Sequence, residues 1–411
     1  MSPLKPHHAP SSFKNPWPSG FSYRASVATI ANGPITRSKP FRINVEPVKT
    51  IECDFRVYES ESAKKGVCAT WLGHAGFLVQ LPNRQRIVFD PIFAERASPS
   101  AWIGPRRWLE TPCQASELPE VQFIAISHSH YDHLDLQALR DIIRRSPDAQ
   151  ILVPLGLKTL ITEELSVSQE SVKELDWWDN VIYSEGTESA LEFVCTPAQH
   201  NSGRGLLDQN ETLWCSWVAR QIPSKSRSPP IPSLSSDPTD VLPVASIYHA
   251  GDTGYTTASG PCPAFAEIGR RYGPFDLAMI PIWRGASLSI LGRMGFRLAP
   301  EASHTLLSTL HASPGDAVRL SRDVRARHTL GMHFGTFCGS EDESQEPLVE
   351  LVEALLAERP SVRPSTGAEA KDEEHPGRAS PVDLRASWQE TGGFGVTDVG
   401  ETVIVPIAGL K

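Results

Sequence analysis

The sequence lacks several features that would assign it to common protein classes. No apolar run reaches the roughly 20 residues that cross a bilayer, and the N-terminus has no apolar segment typical of a secretory signal peptide. The seven cysteines include no Cys-x-x-Cys pair, which favours free thiols in a reducing compartment over a disulfide framework. There is no Gly-x-Ser-x-Gly motif, so a serine nucleophile of that kind is not indicated.

The sequence also has fewer basic than acidic residues. The chain has 39 Lys and Arg against 48 Asp and Glu, which gives a net charge of -9 and a pI of about 5.8. Proteins that hold nucleic acid by general electrostatics usually present a basic face, so a nucleic-acid partner is not expected. With 411 residues and 40% hydrophobic residues, the chain is long enough for one large domain or two ordinary ones.

Composition changes along the chain indicate its organisation. Residues 1–45 contain no Asp or Glu, and five prolines lie within the first eighteen residues. We therefore predict a disordered tail over 1–49, with a mitochondrial leader as the alternative reading. A single hydrolase-sized domain is predicted over 50–411, with flexible Ser- and Pro-rich insertions near 223–243 and 359–385.

Apolar patterning predicts an α/β fold. Early strands pair as hairpins, and later strands alternate with helices, which favours two mixed β-sheets flanked by helices over a doubly wound parallel sheet. Helices are predicted at 136–145, 157–165, near 265–271, at 314–324 and at 347–357. Strands are predicted at 67–72, 77–79, 86–90, 151–153, 191–195, 213–218, 246–249, 277–280, 328–333 and 402–405.

The most informative segment is Ser127-His-Ser-His-Tyr-Asp-His133, which directly follows the apolar run 121–126. Three imidazoles and one carboxylate lie within six residues, at the predicted end of a buried strand. Imidazole and carboxylate together suit zinc and similar ions. In a tight turn, His128 and His130 can face one ion while Asp132 and His133 face a second.

Three further predicted strands each lead to a residue that can bind metal. They end near His200, Asp252 and His333. A lone histidine after a strand is usually structural, but together with the His128–His133 segment these residues complete two coordination shells. We therefore predict a centre for two metal ions.

In these segments the sequence resembles the metallo-β-lactamase superfamily, and more narrowly the N-acyl-phosphatidylethanolamine-hydrolysing phospholipases D. The resemblance covers roughly 67–357. Its flanking motifs bind no metal and are independent of the His/Asp spacing. They include Thr70-Trp-Leu-Gly-His-Ala75, Asp90-Pro-Ile-Phe93, Ile103-Gly-Pro-Arg-Arg107, Pro197-Ala-Gln-His200, Ala250-Gly-Asp-Thr-Gly-Tyr255 and His333-Phe-Gly-Thr-Phe337.

The resemblance implies a four-layer αβ/βα sandwich with two zinc ions at one edge. It implies that Asp252 bridges both ions and that the remaining ligands divide into two sets. The first set is His128, His130 and His200, and the second is Asp132, His133 and His333. Two zinc ions that share a water lower its pKa towards neutrality and stabilise charge on a phosphoryl group. The implied reaction is hydrolysis of N-acyl-phosphatidylethanolamine to N-acylethanolamine and phosphatidic acid.

The positions beside the predicted ligands depart from the family pattern at one point. The family has a Gln-His pair before a helix, whereas this chain has Leu310-His311. His311 is predicted to orient the phosphate or protonate the leaving group, and it joins Asp132 and Asp252 as a predicted catalytic residue. Leu310 and His311 are the predicted substrate contacts. His74 is predicted to fix a ligand rather than to bind metal itself.

The predicted partner is a phospholipid in an intracellular compartment, either cytoplasmic or at a membrane, with mitochondria as one option. Residues 283–298 mix bulky apolar groups with three arginines and no acid, a composition that suits a lipid headgroup layer. A lid packed on the protein itself is the alternative. The prediction allows peripheral membrane contact and a homodimer.

Two other readings share the predicted metal centre. The same fold can hydrolyse a soluble lactone, thioester or cyclic phosphate, and the ligands alone do not separate these substrates. The second alternative belongs to a different functional class: a metal-binding protein without catalytic activity. The flanking motifs favour the lipid phosphodiesterase.

Overall fold

The computed structural model describes residues 5–18, 35–37, 43–100, 102–184, 189–205, 207–223, 242–283, 296–298, 310–358 and 378–407. Within these ranges the chain forms twenty strands and five α-helices. The helices are α1 (Leu136–Arg145), α2 (Lys158–Leu165), α3 (Pro263–Tyr272), α4 (Pro314–Asp323) and α5 (Glu341–Ala357). The strands are β1 (Ile35–Arg37), β2 (Ile43–Asn44), β3 (Gly66–Gly73), β4 (Gly76–Gln80), β5 (Arg86–Phe89), β6 (Phe123–Ala125), β7 (Gln150–Pro154), β8 (Val172–Leu175), β9 (Asn180–Tyr183), β10 (Ser189–Thr196), β11 (Ser216–Pro223), β12 (Ala245–His249), β13 (Thr256–Thr257), β14 (Gly260–Pro261), β15 (Leu277–Pro281), β16 (Phe296–Leu298), β17 (His328–Met332), β18 (Arg378–Ala379), β19 (Gly393–Gly395) and β20 (Thr402–Pro406).

Two seven-stranded sheets organise the fold. The first has the order β20-β3-β4-β5-β6-β7-β8, and the second has the order β19-β17-β15-β12-β11-β10-β9. In each sheet one part is antiparallel and the other parallel: β20 to β5 and β9 to β12 pair antiparallel, whereas β5 to β8 and β12 to β19 pair parallel. The prediction of two mixed sheets is confirmed.

The two sheets bury a shared apolar core between them. Trp71 and Phe77 of the first sheet and Phe193 and Trp217 of the second belong to one buried cluster. The Trp217 indole Nε1 donates a hydrogen bond to the carbonyl of Ile126 at 3.0 Å, which ties the second sheet to the chain that leaves β6. Full burial of each large side chain stabilises the fold by roughly 1.5–3 kcal/mol.

Helix α1 shows how local sequence fixes an element. The Asp135 carboxylate caps its N-terminus by accepting hydrogen bonds from the backbone N–H groups of Gln137 and Ala138, each at 3.0 Å. Leu139 and Ile142 lie on one face and join a second buried cluster with Ile124 and Val153 of the first sheet. The helix has the predicted bounds and covers the outer face of that sheet.

Two predicted boundaries were wrong. Strand β11 begins at Ser216 rather than at Leu213, since the chain from Leu213 to Cys215 crosses to the first sheet, where the Cys215 N–H donates to the Ser127 carbonyl. Helix α5 begins at Glu341 rather than at Pro347, because Ser340 caps it and the proline is accommodated inside the helix.

Part of the predicted N-terminal tail lies against the domain. The side chains of Lys5, His7 and His8 all contact Asp176, and we call these four residues the N-terminal clasp. His7 also stacks on Trp177, with ring centroids 4.3 Å apart. Residues 5–18 of the predicted tail 1–49 therefore make side-chain contacts with the domain that the composition does not reveal.

Several predicted features fall mainly outside the described residues. These are the insertions near 223–243 and 359–385 and the apolar-plus-arginine segment 283–298. None of the described helices combines the length and apolar character needed to span a bilayer.

Candidate metal centre

The candidate centre lies where strand ends from both sheets meet. His74 follows β3 and the His128–His133 segment follows β6, both in the first sheet. His200, Asp252 and His333 follow β10, β12 and β17 of the second sheet. Positions far apart in sequence therefore converge at one edge of the sandwich, and we call this group, together with His311, the histidine–aspartate cluster.

The first part of the cluster contains His128, His130, His200 and Asp252. One ligand atom from each lies within 4.8 Å of the others. The Nε2 atom of His128 is 2.8 Å from Nδ1 of His130, and Nε2 of His200 is 3.3 Å from that same Nδ1. The three inward-facing nitrogens are thus close enough for one ion.

The second part contains His74, Asp132, His133 and His333, again with ligand atoms within 4.8 Å of one another. Nε2 of His133 and Nε2 of His333 lie 3.8 and 3.7 Å from Oδ2 of Asp132. Nε2 of His74 lies 2.9 Å from the same oxygen. His74 therefore contacts Asp132 as predicted for a residue that orients a ligand.

Asp252 joins the two parts. Its Oδ2 lies 3.1 Å from Nε2 of His133 and 3.5 Å from Nε2 of His200, and its Oδ1 lies 2.9 Å from Nε2 of His333. One carboxylate thus faces histidines from both predicted ligand sets, which is the position expected for a bridging ligand.

The backbone adopts strained conformations where it brings these groups together. His74 and His333 have φ values of 52° and 62°, in the left-handed region that non-glycine residues rarely adopt. Gly251 has φ 57°, and a Cβ atom there would lie 2.7 Å from the Cβ of Ser127. Only glycine allows the chain before Asp252 to approach the His128–His133 segment this closely.

Three histidines of the cluster are fixed through their second ring nitrogen. Nδ1 of His133 lies 2.8 Å from Oδ2 of Asp90, and Nδ1 of His200 lies 2.9 Å from the Leu310 carbonyl. Nδ1 of His128 lies 2.9 Å from Oγ of Ser127. Such contacts orient the ring and leave the other nitrogen free to bind an ion.

Burial prepares most of these histidines to act as neutral ligands. It lowers the pKa of His128, His130 and His200 below the usual value for imidazole. Burial, together with nearby His333, lowers the pKa of His74 to about 3. A neutral imidazole is the form that binds a metal ion.

The carboxylates remain ionised because the nearby histidines outweigh the effect of burial. Burial alone would raise the pKa of Asp132 and Asp252, but His133 and the other nearby histidines hold both pKa values well below the usual range. Burial would likewise lower the pKa of His133 and His333, but Asp252 and Asp132 outweigh it and raise both pKa values. The site therefore contains one buried carboxylate, Asp252, and one partly exposed carboxylate, Asp132, facing a larger group of imidazoles.

His311, one of the two predicted substrate contacts, lies beside the cluster and is partly exposed. Its Nδ1 is 3.9 Å from Oδ2 of Asp252, and its ring centroid is 5.0 Å from that of His200. Burial lowers its pKa to about 4. Leu310 is buried and reaches the cluster through its backbone carbonyl, so its predicted contact with substrate stays untested.

The cluster fits divalent metal because several of its buried polar atoms have no hydrogen-bond partner, although others, such as Nε2 of His128 and Nδ1 of His130, contact one another. Among the described residues, buried atoms without a hydrogen-bond partner include Nε2 of His133, Nε2 of His333, Oδ1 of Asp252 and Nδ1 of His311. Buried polar groups without partners are rare in proteins unless they face a ligand. Histidine nitrogens with a few carboxylate oxygens form a donor set typical of zinc.

The sequence reading missed the roles of two residues that position this site. Asp90 accepts hydrogen bonds from the Ser127 backbone N–H at 2.7 Å and from the Ser127 hydroxyl at 2.6 Å, besides its contact with His133. Asn15 donates to the His200 carbonyl at 2.8 Å. Asp90 directly follows an apolar strand, as the predicted ligands do, and that signal was available. Nothing local in the sequence around Asn15 indicates its contact.

Comparisons with known proteins agree with this geometry. A model of the beta-lactamase superfamily domain matches residues 85–334. An N-acyl-phosphatidylethanolamine-hydrolysing phospholipase D of Caenorhabditis elegans is 33% identical over 314 residues, which cover 76% of this chain and 74% of that protein. A mitochondrial N-acyl-phosphatidylethanolamine-hydrolysing phospholipase D of Saccharomyces cerevisiae is 32% identical over 74% of this chain and 54% of its own length.

A protein of Caldivirga maquilingensis named as a metal-dependent hydrolase is 30% identical over 52% of this chain and 68% of its own length. The family match, the two mixed sheets and the histidine–aspartate cluster agree with one another. The chain belongs to the metallo-β-lactamase superfamily and is a metal-dependent hydrolase similar to the N-acyl-phosphatidylethanolamine-hydrolysing phospholipases D.

Proposed function

We propose that this protein is a dizinc phosphodiesterase that hydrolyses N-acyl-phosphatidylethanolamine to N-acylethanolamine and phosphatidic acid. The observation that carries the proposal is the position of Asp252, which faces histidines of both predicted ligand sets at 2.9–3.5 Å. The names of the worm and yeast relatives support the lipid substrate.

The residues present would hold two ions. His128, His130 and His200 would hold the first, Asp132, His133 and His333 would hold the second, and Asp252 would contact both. When bound, such ions supply a nucleophilic water at neutral pH and stabilise negative charge on the phosphoryl oxygens.

The other residues of the chain orient the reactants. Asp90 and the Leu310 carbonyl keep His133 and His200 turned towards the centre. His311, which is partly exposed beside Asp252, is the residue we assign to orient the phosphoryl group or to pass a proton to the leaving alkoxide. In the overall reaction water adds to phosphorus, the P–O bond to the N-acylethanolamine breaks, and the departing oxygen takes a proton.

The proposed setting is an intracellular membrane surface, with the enzyme bound peripherally. The yeast relative's name places that protein in mitochondria, which supports this organelle as one location to test. The net charge of -9 supports a partner other than nucleic acid. A homodimer is compatible with the proposal.

The test is lipid mass spectrometry with the purified full chain, loaded with zinc, and vesicles containing N-acylated and ordinary phosphatidylethanolamine side by side. Release of N-acylethanolamine, with no ethanolamine from the ordinary lipid, supports the proposal. Turnover of bis-p-nitrophenyl phosphate without lipid hydrolysis would redirect the assignment to a soluble substrate. Two zinc ions per chain with no turnover of either would favour a binding protein.

A further inference from the structure

Two neighbouring apolar side chains project into solvent from one loop. Trp102 is 87% exposed and Ile103 is 75% exposed. Single exposed apolar residues are ordinary on protein surfaces, but adjacent bulky ones indicate contact with a partner. Tryptophan in particular is enriched at the boundary between water and lipid.

The loop that carries them has a defined shape. Residues 95–100 and 102–107 form a ribbon in which the Ala97 N–H donates to the Pro105 carbonyl at 3.0 Å and the Arg107 N–H donates to the Glu95 carbonyl at 2.7 Å. At its tip, the Ser100 hydroxyl oxygen accepts hydrogen bonds from the backbone N–H groups of Trp102 and Ile103, at 3.1 and 3.3 Å. These bonds hold both apolar residues at the tip and away from the core.

The base of the ribbon adjoins the metal centre. The Arg107 guanidinium lies 5.2 Å from the ring centroid of Phe337, and that ring lies 5.1 Å from the ring of His74. The Trp108 N–H donates to the Thr336 carbonyl at 2.7 Å, and the Thr336 hydroxyl accepts from the His74 N–H at 2.7 Å. The exposed tip therefore extends from the same edge of the sandwich where the histidine–aspartate cluster lies.

The charge of the ribbon differs from that of the whole chain. Residues 95–107 contain three arginines and one glutamate. The Arg107 guanidinium is turned into the protein, where it donates to the Ala94 and Ile92 carbonyls. Arg96 and Arg106 against Glu95 leave an excess of one positive charge in a protein whose net charge is -9. The Arg106–Glu95 pair lies on the surface, with Nε 2.7 Å from Oε1. A basic, tryptophan-bearing ribbon on an acidic protein is complementary to a layer of anionic lipid headgroups.

We propose that this ribbon, residues 95–100 and 102–107, is a membrane anchor whose exposed side chains Trp102 and Ile103 insert into the headgroup layer of a bilayer containing anionic phospholipid. The inference rests on the proposed lipid substrate and adds the surface through which the enzyme meets it. With the ribbon inserted, the edge of the sandwich that holds His74 and its neighbours faces the lipid.

The test is co-sedimentation of the full chain with vesicles of phosphatidylcholine and phosphatidylserine. The double variant Trp102→Asp, Ile103→Asp is expected to bind at least about tenfold more weakly, because the charged side chains do not enter the apolar layer. The matched control is Leu242→Asp. Leu242 is also 87% exposed but precedes β12, at the strand end opposite to Asp252, and this variant is expected to bind like the unaltered protein.

Several outcomes would overturn the anchor. These are absence of vesicle binding by the unaltered chain, equal binding by the double variant, or an equal loss in the Leu242→Asp control. If the double variant has a lowered melting temperature, the pair Trp102→Ser, Ile103→Ser replaces it under the same criterion. A change from dimer to monomer in lipid-free solution with unchanged vesicle binding would assign the tip to a subunit interface instead.

Binding is measured without turnover, so the result is independent of the substrate assignment. Failure to hydrolyse N-acylated lipid would refute the proposed function and leave a positive binding result standing. Hydrolysis of that lipid together with unaltered binding by the double variant would refute the anchor alone.

Discussion

The N-terminal clasp and the histidine–aspartate cluster are built from the same kinds of side chain, but they differ in how their polar atoms are satisfied. In the clasp, His7, His8 and Lys5 surround one carboxylate at 2.7–2.9 Å. In the cluster, buried nitrogens and oxygens that face one another lack hydrogen-bond partners among the described residues.

The difference shows that closeness of histidine and aspartate does not by itself indicate a metal site. The clasp also has three candidate ligand atoms within 4.8 Å of one another. However, the Lys5 ammonium occupies the space beside Asp176, and a second cation there would be repelled. We therefore interpret the clasp as an ionic contact that fixes the N-terminal segment, and the cluster as the site that requires an ion.

The largest effect is expected from removing the shared carboxylate. Asp252→Asn should lower kcat/KM for any phosphodiester substrate by on the order of a thousandfold or more, because one bridging charge is lost from both ion positions. The matched change in the clasp, Asp176→Asn, should leave kcat/KM nearly unchanged. Steady-state kinetics of both variants checks this, and retained turnover in Asp252→Asn would refute the bridge.

A smaller effect is expected from the histidine that contacts Asp132. His74→Gln should weaken metal affinity roughly 10–100-fold, the usual cost of losing a partner that orients a ligand. His7→Gln provides the control, since no loss of metal affinity is expected from the clasp. Competition with a fluorescent chelator measures both variants. Equal affinities would mean that His74 does not orient the centre.

The N-terminal clasp should contribute to the stability of the fold and not to metal binding. Asp176→Asn should lower the free energy of unfolding by about 1–3 kcal/mol, the range for hydrogen bonds to a charged group. The metal content should stay the same. Urea unfolding and elemental analysis together check this, and a loss of metal would contradict our separation of the two regions.

The contacts of Asp176 also predict that the free energy of unfolding depends on pH. Hydrogen bonds from His7 and Lys5 outweigh the effect of burial and hold the pKa of Asp176 well below its ordinary value of 3.8. Because the folded pKa is the lower one, the stabilisation is present above pH 3.8 and is lost as the pH falls through the folded pKa. The stability difference between the unaltered protein and Asp176→Asn should therefore shrink in acid below about pH 4. A constant difference there would contradict the assignment.

The smallest effect is expected at Asn15, which connects the N-terminal segment with the cluster. Asn15→Ala removes the hydrogen bond to the His200 carbonyl and should cost about 1 kcal/mol of stability. A change of only a few-fold in kcat/KM is expected, since His200 keeps its bond to the Leu310 carbonyl. An effect as large as that of Asp252→Asn would show that the segment is part of the catalytic centre.

Much of the fold could be predicted because its apolar patterns are strong. Helix α1 was predicted with its observed bounds from the spacing of Leu139 and Ile142. Strands β8, β9 and β19 were missed because they are short. β8 has the sequence Val-Lys-Glu-Leu. Four residues with two charged ones in the middle are too short a pattern for periodicity to distinguish a strand from a loop.

The cluster was predictable for a similar reason. Each predicted ligand lies in the segment that follows an apolar strand, and ends of neighbouring strands meet at one edge of a sheet. Asn15 and the clasp were not predictable, because they depend on where the 5–18 segment docks. Composition reveals that a segment is polar and rich in proline, but the contact with Asp176 depends on tertiary geometry.

One consequence follows from the division of the ligands between the two sheets. The first sheet supplies His128, His130, Asp132 and His133, and the second supplies His200, Asp252 and His333. Metal ions bound here would link the two sheets to each other through their ligands. Chelation should therefore lower the melting temperature of the whole domain, and a chain with only one half assembled should retain no zinc through dialysis.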